Sequence, residues 1–520
     1  MNIAIMHYHL ERGGVTQVIA NHLRAVDQAG LSKREWRVGL LFGRHGRGFP
    51  EGFAEELAGL DVRFVEVPEL DYATAGTACP VALAERLRSA LQRLDFAPQA
   101  TVLHTHNHAL GKNHSLPGAL ETLAREGYAL LLQIHDFAED FRPDAYRAEC
   151  DCLAGGRPEA LGPILYPQAQ HIHYAVLNSR DAEILRQAGC HPARLHILPN
   201  CVVPIGQLPR RAEARRLLED RFGVPPDRPY YLYPVRGIAR KNIGEMLLLS
   251  ALAGDGASFG LTLAPTNPAE GPLYRRWTRL ADQLGLGCVF ETGGRRGLSF
   301  QQNLAAADKI LTTSLAEGFG MVFLESWLAG RLLVGRDLPE ITADFRAAGI
   351  DLGALHPRIA VPIAWVGMEA FCASFQAAYT HVLGQYGRET APPGELRDTI
   401  RSLVQDGTID FGFLDAEQQA NVIERVHGSA PARAQLADQN RQLAAALAAR
   451  PVDHGALISR NAERTRTVYG AETCGRRLAE LYERLLASVR DGPWEASFRG
   501  EQILQRYLQP GRFHPIRIRA

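Results

Sequence analysis
Neither sign of charge dominates this 520-residue chain: Lys plus Arg and Asp plus Glu each number 57. Nucleic-acid binders carry a basic surplus, and its lack here argues against that class. An anionic ligand must then be held by a local cluster of cations. No run approaches the ~18 consecutive apolar residues of a membrane span. The opening stretch MNIAIMHYHL lacks a basic segment followed by a long apolar core, so it reads as a first β-strand rather than a signal peptide. The eight cysteines (79, 150, 152, 190, 201, 288, 372 and 474) are scattered, and only Cys150 and Cys152 are close. One Cys-x-Cys pair without a second pair or nearby histidines is too little for a zinc site, and reduced thiols of a cytoplasmic protein are expected. No G-x-G-x-x-G with an acid ~20 residues on is present, which weighs against a dehydrogenase. No short internal repeat is evident.

Hydrophobic content of 46% is ample for sizeable cores. Short apolar runs alternate with helical periodicity through the first 200 residues. Strands are expected at 3–7, 38–42, 62–67, 101–105, 130–135, 173–178 and 196–198, with helices such as 16–29 and 81–94 between them. Strands separated by helices imply βαβ units and a parallel sheet. The Pro- and Gly-bearing stretch LPNCVVPIGQLP ends this block. The pattern restarts with strands at 230–235, 261–264, 289–291, 309–313 and 332–334. The expected architecture is α/β: a Rossmann-like domain over 1–205 and a second over 206–350, facing each other across a cleft. A helical insertion is expected over 351–455, with no obvious strands from 390 to 450, and C-terminal helices with a basic tail over 456–520. Phe371, Phe375, Tyr379, Val382 and Tyr386 recur at helical spacing and are read as a buried stripe. The last 22 residues carry five arginines and one glutamate and are read as a solvated surface segment, with contact to a membrane surface or partner as the alternative.

In open α/β sheets, ligands sit beyond the carboxyl ends of the strands. Gly13 and Gly14 follow the first strand and permit close backbone approach at a helix start. Arg236 ends a strand of the second block, with Arg240 and Lys241 just before a helix. Three cations there suit a diphosphate. The stretch TSLAEGFGMVFLESWLAG places Glu317 in a loop after a strand and Glu325 inside the following helix, with Gly318 and Gly320 between them. The glycines permit phosphate to approach the helix start, and a carboxylate suits a pair of sugar hydroxyls. Glu317 then faces a transferred sugar and Glu325 a nucleotide ribose. His104 and His106 of HTHNH are read as pointing to opposite faces of a strand, so a shared metal is not expected; a loop lining an acceptor is the preferred reading.

These elements together resemble the GT4 group of retaining glycosyltransferases, which have the GT-B fold. Glu317 to Glu325 resembles the group's E-x7-E element, and Arg236 with Lys241 its Arg-x4-Lys clamp. Gly13-Gly14 matches its N-terminal glycine loop. LQIHDF is similar to its His-Asp segment, ILPNCV to its interdomain Pro-Asn segment, and GRDLPEI to its Gly-x-x-Pro-Glu. The resemblance covers about 1–345 and, weakly, 455–490. Val235, Cys201 and ESWLAG depart from the pattern, and 350–450 has no counterpart. The resemblance implies metal-independent, cofactor-free transfer of a hexose from a nucleoside diphosphate sugar to a hydroxyl acceptor with retention, by front-face attack. It implies catalytic roles for Glu317, His135, Arg236 and Lys241, and donor binding by Gly13, Gly14, Arg236, Lys241, Gly318, Phe319, Gly320 and Glu325. A sugar phosphorylase of the same fold, a nucleotide-sugar epimerase and a non-catalytic nucleotide-sugar sensor are the rival readings. The acceptor and the donor base are not legible in these motifs.

Overall fold
The computed structural model describes residues 1–518 except 12, 30–35, 45, 47, 50, 51, 58, 73–77, 391, 449–453, 491, 496 and 497. The chain divides into two compact units. The first comprises Met1–Val203 with Arg466–Leu508, the second Pro204–Thr465 with Gln509–Ala520. The block expected at 456–520 is therefore shared between them.

The first unit is built on seven strands: β1 (Asn2–His7), β2 (Arg37–Phe42), β3 (Asp61–Glu66), β4 (Thr101–His106), β5 (Ala129–Ile134), β6 (Ile172–Val176) and β7 (Leu195–Ile197). They form a parallel sheet in the order β3-β2-β1-β4-β5-β6-β7. All six residues of β1 are buried, as in a strand covered on both faces. The register sets Ile3 beside Val38 on one side and Val102 on the other. Helix Gly14–Gln28 covers β1 with Ile19, Leu23 and Val26. Helix Ala471–Leu486 returns from far along the chain and packs on it through Leu478, Tyr482 and Leu485. The two helices approach closely at Gly475, where a Cβ would lie 2.1 Å from the carbonyl oxygen of Ala25. Only glycine fits at that crossing.

The second unit holds β8 (Tyr230–Arg236), β9 (Ser258–Leu263), β10 (Cys288–Phe290), β11 (Lys309–Thr312), β12 (Leu332–Arg336) and β13 (Leu355–His356), ordered β10-β9-β8-β11-β12-β13 and parallel. Each sheet reverses its winding once, between β1 and β4 in the first unit and between β8 and β11 in the second. Such switch points open a crevice at the carboxyl ends of the two flanking strands.

Two expectations require correction. The 351–455 region is not purely helical. It contributes β13 to the sheet, and β14 (Ala360–Pro362) pairs antiparallel with β15 (Thr408–Asp410). These strands are only two or three residues long and leave no periodicity to detect. The basic tail is also not merely solvated. Phe513 is fully buried, and its ring lies 5.0 Å from Phe375 and 5.2 Å from Tyr379. It thereby extends the aromatic stripe of helix Met368–Gln385, which is core as expected. The cysteines are free; Cys150 points inward and Cys152 outward from their helix. Among the described residues, no helix is long and apolar enough to cross a membrane.

Candidate active site
In the second unit, the polar loops after β8 and β11 meet across the switch point. The Leu315 N–H donates to the Arg240 carbonyl at 2.9 Å. Thr313 Oγ1 donates to the carbonyls of Lys241 and Asn242 at 2.8 and 3.2 Å. Tyr233 OH reaches the Lys241 carbonyl at 3.1 Å and Ser314 Oγ at 2.8 Å. These bonds fix the backbone that carries Lys241 and Glu317.

The ammonium of Lys241 donates to Glu317 Oε1, and both side chains are largely buried. Burial pushes the Lys241 pKa down, and the charge of Glu317 only partly restores it. Burial acts to raise the Glu317 pKa, but Lys241 and Arg240, with hydrogen bonds from Lys241 and Ser314, outweigh it and hold the carboxyl below its ordinary value. The pair is thus an ionised contact in a poorly solvated place, with Arg240 adding a second positive charge. Coulomb forces on an incoming anion are stronger there than at an open surface. Arg236, at the end of β8, is half-buried and donates to the Ala264 carbonyl at 3.1 Å, which leaves further N–H groups of its fork available.

Gly320 adopts a left-handed φ of 87°, and a Cβ there would lie 2.6 Å from the Phe323 ring. The turn therefore requires glycine. Phe319 is a core side chain, 5.3 Å from the Phe345 ring, so only its backbone is placed to face a ligand. Helix Val322–Leu328 carries Glu325, whose pKa is raised by burial. Glu325 is half-buried, and no hydrogen bond joins its carboxylate to another described residue. The structure joins Glu317 to Lys241 and does not join Glu325 to either.

In the first unit, Gly13 precedes helix Gly14–Gln28 with φ −166°, an extended conformation open to any residue. A Cβ at Gly14 would meet nothing within 4 Å. Packing within the unit does not demand either glycine: a Cβ at Gly13 would make only an ordinary contact, 3.8 Å from the Glu11 carbonyl oxygen. His135 follows β5 and is almost wholly buried. Its N–H donates to Asn107 Oδ1 at 2.7 Å, and its Nε2 lies 2.8 Å from His106 Nδ1. Burial lowers its pKa to about 4, so the ring is neutral at pH 7.

The opposite-face expectation for His104 and His106 was incorrect. Residues two apart in a strand share a face, and the two rings stack at 4.4 Å. His22, from the helix above, stacks on His104 at 5.9 Å. His22, His104 and His106 present ligand atoms within 4.8 Å of one another. The His104 and His106 planes differ by 26° and those of His22 and His104 by 21°. Both His104 nitrogens are engaged, with Tyr482 OH at 2.8 Å and Gln133 Oε1 at 2.9 Å. The array reads as a buried neutral stack behind His135. Sequence reasoning missed His106 as the partner of His135, a contact from β4 to the residue after β5; the i, i+2 rule shows only that His104 and His106 share a face. It also missed Thr313 and Ser314, for which polar residues at the carboxyl end of β11 were a usable signal, and Tyr233 within β8.

No family model matches the chain. It is 25% identical over 426 residues to mannosylglucosyl-3-phosphoglycerate synthase of Petrotoga mobilis, covering 80% of each sequence. Among solved structures it is similar to sucrose-phosphate synthase from Thermosynechococcus elongatus (TM-score 0.51, 16% identity, 94% of this chain and 99% of that one). It is also similar to Anabaena HepE in complex with UDP and glucose (TM-score 0.50, 14% identity, 93% and 99%).

Proposed function
We propose that this chain, a glycosyltransferase with the GT-B fold, moves a hexose from a nucleoside diphosphate sugar to a hydroxyl acceptor with retention and without a metal, as a member of the GT4 group. The observation that carries the reading is the buried Lys241–Glu317 pair beside Arg240, at the carboxyl ends of the two strands that flank a switch point.

On this reading, Arg236 and Lys241 hold the donor diphosphate and stabilise the charge that grows on it as the glycosidic bond breaks. Loss of one such group raises the barrier by roughly 3 kcal/mol, about 10²-fold in rate. Glu317 holds hydroxyls of the donor sugar and steadies positive charge near its anomeric carbon, while Lys241 keeps it ionised. Glu325, half-buried and not bonded to another described side chain, accepts from the ribose hydroxyls. The backbone from Gly318 through Phe319 to Gly320, and that of Gly13 and Gly14, approaches the donor closely. His135, neutral and oriented by His106 and Asn107, contacts the sugar or the acceptor through its Nδ1 edge. The acceptor is a small polar molecule. The relative's name specifies a phosphoglycerate glycoside, which is of that class.

The test is turnover. The protein is incubated with a panel of uridine, guanosine and adenosine diphosphate hexoses plus small hydroxyl acceptors, including 3-phosphoglycerate and its glucoside, and nucleoside diphosphate release is measured. Acceptor-dependent release from one donor, with the product in the donor's anomeric configuration, is expected. Sugar phosphate formation from a glycoside and inorganic phosphate alone would replace the reading with a phosphorylase.

A further inference from the structure
Behind the Lys241 loop lies a buried ionic network that no diphosphate contact requires. Arg336, the last residue of β12, is 3% exposed. Its Nε and Nη2 donate to Glu245 Oε2 at 2.8 and 2.6 Å. Its Nη1 and Nη2 donate to the two oxygens of Asp410 at 2.8 and 2.9 Å. Glu245 is fully buried on helix Ile243–Ala253. The same Oε2 accepts from Asn242 Nδ2 at 3.0 Å. Asn242 follows Lys241 directly and holds a left-handed φ of 46°. Asp410 ends β15, and its Oδ1 also accepts the Ile359 N–H at 3.0 Å. The 351–455 region thus reaches the site loop through Arg336.

A buried triad of ions is an expensive way to fill a core, because desolvation costs several kcal/mol per ion and apolar residues of similar volume avoid it. What the triad supplies is direction. Glu245 sits below the Asn242 turn and holds it from one side. From the other, Thr313 and Tyr233 hold the carbonyls of Lys241 and Asn242. Between them the left-handed turn has one setting, and the Lys241 side chain leaves the backbone in one direction.

We propose that Glu245, clamped by Arg336 and Asp410, is a positioning residue for Lys241, fixing through the Asn242 turn where the ammonium meets a diphosphate. The proposal rests on the reading of Lys241 as a diphosphate ligand. Glu245 itself touches neither Lys241's ammonium nor the donor.

The test uses calorimetric binding of UDP, GDP and ADP to the full chain, with thermal midpoints recorded in parallel. Two variants probe the network: Glu245→Gln, and the triple replacement Glu245→Leu, Arg336→Met and Asp410→Leu, which exchanges the ions for apolar bulk. The nucleotide that binds wild type is expected to bind both variants about tenfold more weakly, even where the triple variant matches wild type in thermal midpoint. In a Lys241→Ala background, measured at millimolar nucleotide, Glu245→Gln should change affinity less than about twofold, as expected for one coupled unit. Unchanged affinity in Glu245→Gln, or an undiminished loss in the Lys241→Ala background, overturns the inference. If the triple variant does not fold, Glu245→Gln and Asp410→Asn decide the matter alone. Nucleotide binding that ignores Lys241→Ala, or no nucleotide binding by wild type, instead overturns the reading of Lys241, and the inference falls with it.

Discussion

Lowering the pH from 6.5 to 5 should destabilise the first unit steeply, and the buried histidines set the slope. Burial lowers the pKa of His7 and His104 to about 3 and of His108 and His135 to about 4, and pushes His22 and His106 well down. In the unfolded chain each titrates near its ordinary 6.5. A histidine with a depressed folded pKa binds fewer protons when folded, so its contribution is intact above pH 6.5 and is lost as the pH falls toward 4. Two buried acids act the other way. Burial raises Glu139 to about 7 and Glu149 to about 8, and each gains stability as the pH falls toward 4.5. His173 and His196 of the same unit are likewise held down, to about 3 and about 4; between pH 6 and 5 these six histidines take up about five to six protons on unfolding while the glutamates release about two. The net uptake of several protons corresponds to a loss on the order of 5 kcal/mol per pH unit, comparable to the ~5–15 kcal/mol of a typical domain. His22 and His106 steepen this further. The assay is urea unfolding from pH 7 to 5, followed by tryptophan emission; Trp36, packed against Tyr482, reports on this unit. His104→Gln should flatten the slope by about one proton's worth, on the order of 1 kcal/mol per pH unit. A midpoint that stays level across this range, or a slope that His104→Gln leaves unaltered, would refute the reasoning.

Three substitutions test other parts of the account. Glu317→Gln leaves the Lys241 ammonium buried without its counter-charge, so turnover should fall by at least about 10²-fold and stability by about 3 kcal/mol, read by initial rates and urea midpoints. Gly320→Ala forces a side chain into a left-handed turn against Phe323, which should cost on the order of 1–3 kcal/mol in urea unfolding and lower turnover; unchanged stability would contradict the assigned turn. Phe375→Ala should cost about 3–5 kcal/mol in urea unfolding if helix Met368–Gln385 and the Phe513 tail share one core, and unchanged stability would contradict that packing.

The two parallel sheets were legible because each central strand is buried on both faces and reads as a continuous apolar run between helical segments. The Lys241 and Glu317 loops were legible because their residue types serve an anion and a sugar wherever a strand ends. What escaped detection was non-local or short. Glu245, Arg336 and Asp410 lie up to 165 positions apart, and nothing local marks three buried ions as partners. The pairing of β14 with β15 involves three residues each and carries no period. Helix Ala471–Leu486 was readable as a helix, but its apolar face does not announce that it closes over Leu23 and Val26. The histidine stack was within reach, and it was misread by assigning i and i+2 to opposite faces of a strand.

The central claim, that Arg236 and Lys241 grip a nucleoside diphosphate, is tested most directly by titrating wild type and Lys241→Ala with UDP, GDP and ADP in a calorimeter. The account predicts that at least one nucleotide binds wild type and that Lys241→Ala weakens it by about 10²-fold, close to 3 kcal/mol. Binding of equal strength to both proteins, or no binding to wild type, would contradict it.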